Sequence, residues 1–239
     1  MAPLIQNNVF SGISAGENEA GIFQQSGVNP DDIPILDHPA FIAAAERAIW
    51  NPPDYFQRAA RTDVFERLAP LELDLGCGDG GFIVGMAERH PDRDFLGTER
   101  LMGRVEKVSR KIARRELRNC RILRLESKYA ILNLLPPGCA DVVHIGFPDP
   151  WPKRQHHPRR LFQDDFMVAL HQVVTPSGEI RIKTDDEPYF RWIEKVVERA
   201  SGFEQIEWIE ETDYPKTDFE MHFTEQGLPT YRVRLRKLS

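Results

Sequence analysis

The first 46 residues of the chain contain no lysine and no arginine. That stretch also has no long apolar run, so it lacks the basic n-region and the h-region of a secretory signal peptide. Nowhere does the sequence hold about 18 consecutive apolar residues, so no membrane-spanning helix and no membrane partner are expected. Cysteine is scarce. Cys77, Cys120 and Cys139 are an odd set without metal-binding spacing, which points to a reduced, cytoplasmic protein and not to a disulfide scaffold. His156 and His157 have no third ligand at a sensible spacing, so no metal site is expected.

What remains is ordinary for a globular chain. Of 239 residues, 41% are hydrophobic and 28% charged, which suits one α/β domain with an extension. The net charge of −6 is unevenly placed. Glu17, Glu19, Asp31, Asp32, Asp37 and Glu46 all precede Arg47, which leaves 31 acids against 31 Lys and Arg in residues 47–239. From Arg100 to Lys128 inclusive there are 11 Lys and Arg. Local patches set the field that a polyanion feels, so the acidic total does not exclude a nucleic-acid partner.

Residues 1–33 are rich in Gly, Asn, Gln and Ser without periodicity, and a short helix is predicted over 39–49. A further short helix is expected within 57–68. From residue 71 strands and helices alternate. LELDL (71–75), DFLGTE (94–99), RILRLE (121–126), ADVVHIGF (140–147) and GEIRIKTD (178–185) read as strands. Helical patterns fill 82–90, 101–118, 128–135, 164–174 and 187–200. FEQIEWI (203–209) and TYRVRLRKL (230–238) close the chain as two strands with no helix between them, so they should pair antiparallel. Alternation of this kind predicts a parallel, doubly wound sheet. In the last strand Arg232, Arg234 and Arg236 share a face by period two, and acids on a covering helix would be natural partners.

Three stretches carry chemistry. Gly76-Cys77-Gly78-Asp79-Gly80-Gly81 follows the first strand and opens a helix, where glycines permit a tight turn and close approach to a ligand. Glu99 ends the second strand, 23 residues after Gly76, where an acid can hold ribose hydroxyls. That pair fits a nicotinamide nucleotide and also S-adenosylmethionine. Asp74, two residues before the turn, and the antiparallel final pair favour the latter. Glu126 ends the third strand and is either an acceptor for an adenine amino group or a solvated acid. The third stretch is FPDPWPKRQHHPRRL (147–161), in which four prolines, a tryptophan and four Lys/Arg surround one carboxylate, Asp149. Proline removes a donor and fixes φ, so this reads as a stiff loop with no helix or strand.

Taken in order, "LELDLGCGDGGF", "DFLGTE", "FPDPWPKRQHHPRRL", "IKTDDEPYF" and "TDFE" resemble the bacterial tRNA (guanine-N7-)-methyltransferase family over residues 71–239. The resemblance implies a Rossmann-like class I methyltransferase: α/β, a seven-stranded mostly parallel sheet with helices on both faces and an antiparallel last strand. It implies S-adenosylmethionine as cofactor and N7 of guanine 46 in the tRNA variable loop as target. By the same resemblance Asp74, Gly76, Gly78, Glu99, Glu126 and Asp149 contact the cofactor, with Asp149 catalytic. Lys153, Asp185, Thr217, Asp218, Phe219 and Glu220 contact substrate. The chain then divides into an acidic, loosely ordered extension with a short helix (1–46) and a methyltransferase domain (47–239). Members of the family often start basic, which this chain does not. A monomer or homodimer without an obligatory protein partner is expected.

The chemistry implied is undemanding in proton terms. Guanine N7 has an in-plane lone pair and no proton, so positioning, which can supply about 7–11 kcal/mol, replaces general-base catalysis. The product ring is cationic, and a fixed carboxylate such as Asp149 favours it. Either Asp149 or Asp185 could orient the base. Trp151 is a stacking platform or a packed side chain. Lys153, Arg154, Arg159 and Arg160 suit phosphates. Competing readings are another class I methyltransferase acting on an amino group of RNA or protein, which NPPDYF (51–56) suggests by a partial motif, a nicotinamide-dependent oxidoreductase, and a non-catalytic RNA-binding module.

Overall fold

The computed structural model describes residues 39–209, 214–216, 220–221 and 226–238. The acidic extension as far as residue 38 and the predicted Thr217, Asp218 and Phe219 lie outside the described residues. Residues 39–239 form one compact unit. Its elements run α1 (Pro39–Ala48), α2 (Arg61–Val64), β1 (Leu71–Leu75), α3 (Gly81–Arg89), β2 (Asp94–Glu99), α4 (Met102–Arg114), β3 (Cys120–Arg124), α5 (Ser127–Tyr129), β4 (Ala140–Gly146), α6 (Asp164–Val173), β5 (Val174–Thr184), α7 (Glu187–Arg199), β6 (Phe203–Ile206) and β7 (Tyr231–Lys237). The strands form a single sheet in the order β3-β2-β1-β4-β5-β7-β6. Neighbours from β3 to β5 pair parallel, whereas β7 is antiparallel to both β5 and β6. The predicted antiparallel ending is therefore present, with β7 inserted between β5 and β6.

Period-two alternation decides the two faces. On one face Leu73, Leu96, Leu123, Val143, Ile145, Ile180, Ile182, Val233 and Leu235 join a core with Phe166 and Leu170 of α6 and Tyr189, Ile193 and Val196 of α7. On the other face the apolar cover is partial. Phe95, Cys120 and Ile122 pack against Ala48 of α1, Ile83 and Met86 of α3, and Val105, Val108 and Ile112 of α4. That cover sits over β2 and β3. Over β4, β5 and β7 the same face presents His144, Glu179, Arg181, Lys183, Arg232, Arg234 and Arg236, joined in register by Asp74↔His144↔Arg181↔Arg234.

Three expectations change. Two of the three arginines of β7 find acids on strands: Arg234 grips Glu179 of β5 at 2.9 Å, and Arg236 lies 3.6 Å from Glu204 of β6, whereas Arg232 lies 3.6 Å from Glu220 in a helical turn before the strand. For the first two, side chains on the neighbouring strands supply the acids. The segment after β3 is not a plain helix. A short α5 passes into a π turn over Ala130–Leu134, which keeps Ala130, Ile131 and Leu134 all buried. Lastly, FPDPWPKRQHHPRRL is not wholly loop. Arg154–Arg159 forms a 3₁₀ helix with Pro158 inside it. The closing bonds run from His156 N to Lys153 O and from Arg160 N to His157 O, so the donor that Pro158 lacks is not among them.

Candidate active site

Sheet order reverses at β1, which lies between β2 and β4, and ligands of open α/β sheets sit at the carboxyl ends of strands at such a point. The glycine turn leaves β1 there. Gly76 and Gly78 have φ of +80° and +57°, a region open to glycine, and a Cβ on either would meet no atom within 4 Å. Empty space, and not protein crowding, therefore faces the turn. Gly76 and Cys77 donate to the Thr98 carbonyl at 3.0 and 2.9 Å, and the Thr98 hydroxyl lies 2.9 Å from that of Ser127. One threonine thus ties the turn to the start of α5.

A cavity beside the turn is walled by Asp74, Gly76, Phe82, His144, Phe147, Arg181, Lys183, Trp208, Tyr214 and Glu220. Of the residues the sequence singled out, Asp74, Gly76 and Glu220 meet here; Gly78, Glu99, Glu126, Asp149, Lys153 and Asp185 do not line it. Burial pushes the Asp74 carboxyl up to about 7, and among the described residues no cation offsets it. Glu220 is 3% exposed and accepts from the Lys183 ammonium at 2.8 and 3.0 Å. Phe82, His144 and Tyr214 form an aromatic cluster with centroids 4.9–5.9 Å apart, and Arg181 stacks over Tyr214 at 4.8 Å. His144 donates Nε2–H to Glu72 at 2.7 Å, since a carboxylate only accepts. Burial lowers the imidazole pKa more than that bond raises it. Burial alone would raise Glu72, but His144 and Arg93 together hold it below the usual carboxylate range.

The remaining expected residues ring the cavity. Glu99, 7% exposed, accepts from Leu101 N at 2.8 Å, with Arg104 3.7 Å from its other oxygen. Both oxygens of Glu126 cap α5, accepting from Lys128 N and Tyr129 N at 3.0 and 2.8 Å. Asp185 is half-buried at the end of β5; its neighbour Asp186 is the N-cap of α7, accepting from Tyr189 N at 2.7 Å. Asp149 is exposed between Pro148 and Pro150. Phe147 and Trp151, which flank those prolines, have φ of +52° and +44°, costly for non-glycine residues and concentrated at functional sites.

The basic run divides. Lys153, Arg154 and Arg159 are exposed, and Arg159 also stacks over Trp151 at 5.2 Å. Trp151 is half-buried, edge-on to His156 at 5.7 Å. Arg160, expected on phosphate, is 4% exposed and folded inward. The sequence reading missed Phe82, His144, Arg181, Lys183, Trp208 and Tyr214 as cavity walls. The signal for two of them was present: Glu179, Arg181 and Lys183 alternate with buried Ile180 and Ile182, a charged face backing an apolar one. Among the described residues no group of three or more His, Cys, Asp or Glu is placed to hold a metal ion, and no helix is long and apolar enough to cross a membrane.

A sheet with this order, one reversed strand and a glycine turn at its switch point has the class I methyltransferase architecture. Solved structures agree at the level of fold. The 16S rRNA methyltransferase KamB superposes with a TM-score of 0.59 at 15% identity over 80% of this chain and 99% of that one. The aminoglycoside resistance methyltransferase NpmB1 gives 0.53 at 20% identity over 76% and 95%. Sequence relationships are narrower. A family model described as "Putative methyltransferase" matches residues 68–233. The tRNA (guanine-N(7)-)-methyltransferase of Nitrosococcus oceani is 32% identical over 73% of this chain and 74% of its own length. That of Chlorobium phaeobacteroides is 32% identical over 82% and 97%, and that of Thermotoga maritima 30% over 74% and 57%, so the match spans little more than half of the latter. The chain belongs to the tRNA (guanine-N(7)-)-methyltransferase family.

Proposed function

We propose that the protein methylates N7 of guanine 46 in the variable loop of tRNA, using S-adenosylmethionine. The observation that carries this reading is the convergence at the β1/β4 switch point of an open glycine turn and a proline-locked loop bearing an exposed acid and then exposed cations. The substrate follows from the names of the relatives.

The residues present fit the cofactor. Asp74 is a buried carboxylate with no countercharge among the described residues, suited to the cationic amino-acid end, and Gly76 and Gly78 leave room in front of the turn. Glu99 and Glu126 stand at the ends of β2 and β3, where ribose hydroxyls and an adenine amino group would be met. S-adenosylmethionine, when bound there, supplies an electrophilic methyl group.

The chain's own groups do the rest. No side chain has to remove a proton from guanine N7. Asp149 places negative charge where the purine becomes cationic, and charge fixed in advance costs no reorganisation during reaction. Asp185 and Glu220 are acceptors suited to guanine N1–H and N2–H₂. Lys153, Arg154 and Arg159 take phosphates, an interaction tolerant of loose geometry. A tRNA transcript with adenine in place of guanine 46 tests the position: it should lose methyl acceptance, and undiminished acceptance would move the target elsewhere.

A further inference from the structure

Arg160 departs from its basic neighbours. Its guanidinium lies 5.0 Å from the ring centroid of Tyr189 and 5.2 Å from that of Trp192, both on α7. Its Nε–H donates to the carbonyl of Pro150 at 2.8 Å. Among the described residues it makes no ion pair. A buried cation without an acid is costly unless its donors and faces are well used. Here a charge-assisted hydrogen bond and two aromatic faces use them. At 4% exposure, with two rings of α7 beside it, the guanidinium offers little surface to a phosphate.

The Pro150 carbonyl is the important partner. Pro150 follows Asp149 directly, and the next residue, Trp151, is held at φ +44°. At the other end of the tripeptide Phe147 is held at φ +52°, and its N–H donates to Lys183 O at 2.8 Å. The segment Pro148-Asp149-Pro150 is thus pinned on both sides, once to β5 and once to Arg160. The platform under Arg160 is itself fixed: Trp192 Nε1 donates to Phe162 O at 2.8 Å, and Tyr189 is fully buried. Burial pushes the Tyr189 phenol up to about 12, and the neighbouring Arg160 cation works against that rise.

We infer that Arg160 is a positioning residue: it locks the strained backbone that presents Asp149 and does not contact tRNA. This rests on the proposed function for its kinetic consequence only. Arg160→Lys keeps the charge but loses the planar guanidinium beside the two rings and the Nε bond; Arg160→Met keeps the stem and loses both charge and bond. Kinetics on tRNA, tRNA affinity against salt, and hydrogen exchange of residues 147–161 would be measured for both, with Lys153→Ala as the phosphate-contact comparator.

The expected result is faster exchange in the loop for both Arg160 variants, with kcat at saturating tRNA at least tenfold down. Their tRNA affinity and salt slope stay as in the wild type, whereas Lys153→Ala lowers the slope by about 1. Wild-type exchange and kcat with a reduced salt slope would overturn the inference and make Arg160 a phosphate contact. If one variant fails to fold, the other decides. Should the wild-type protein methylate no tRNA, the proposed function fails while the exchange comparison still decides whether Arg160 holds the loop.

Discussion

Asp74 shows how a single side chain carries a testable charge balance. Burial raises its carboxyl from 3.8 to about 7. The folded protein therefore holds this proton more tightly than the unfolded chain, and the group subtracts stability as pH climbs from about 4 towards 7. A cation beside Asp74 reverses the effect, so S-adenosylmethionine should bind more tightly as pH rises. Between pH 6 and pH 8 affinity should increase about tenfold, with proton release seen by calorimetry in buffers of different ionisation enthalpy. Asp74→Asn should flatten the profile; a flat wild-type profile would remove Asp74 from the cofactor site. At this scale the sequence was informative where chemistry and position coincide. Asp74 and Gly76 could be placed from strand, turn and spacing. Arg160 could not be told from Arg159, because both are arginines in one basic run and only the folded α7 shows which turns inward.

Adjacent acids at the start of α7 separate structural from chemical roles at the level of an element. Asp186 caps the helix, whereas Asp185 makes no cap and sits at the end of β5. Asp186→Ala should lower unfolding free energy by about 1 kcal/mol in urea titrations. Asp185→Ala should leave stability within about 0.5 kcal/mol and reduce methylation instead. The opposite pattern would exchange the two roles. The strands were legible because their alternation is strong: LELDL and DFLGTE coincide with β1 and β2 to the residue. The helix after β3 and the 3₁₀ turn at 154–159 were not, because both depend on tertiary demands. Three buried apolar residues must face inward from one turn at Ala130–Leu134, and Arg160 must be delivered beneath Pro150.

For the whole molecule the telling feature is the contrast between the two faces of the sheet. Among the described residues one face is sealed by α6 and α7, and the apolar helices on the other lie over β2 and β3. The charged remainder borders the cavity at the switch point, with Arg181 and Lys183 on β5 and Glu220 bonded to Lys183. A doubly wound sheet was predictable from alternating elements; the charged stretch over β4, β5 and β7 was not, because it depends on where the covering helices lie. The central claim is that this site methylates guanine N7 in tRNA. The direct measurement is to incubate the purified protein with tRNA and methyl-labelled S-adenosylmethionine, digest with nuclease and identify the labelled nucleoside. Label in 7-methylguanosine is the predicted result; label in a methyladenosine, or in protein alone, would contradict it.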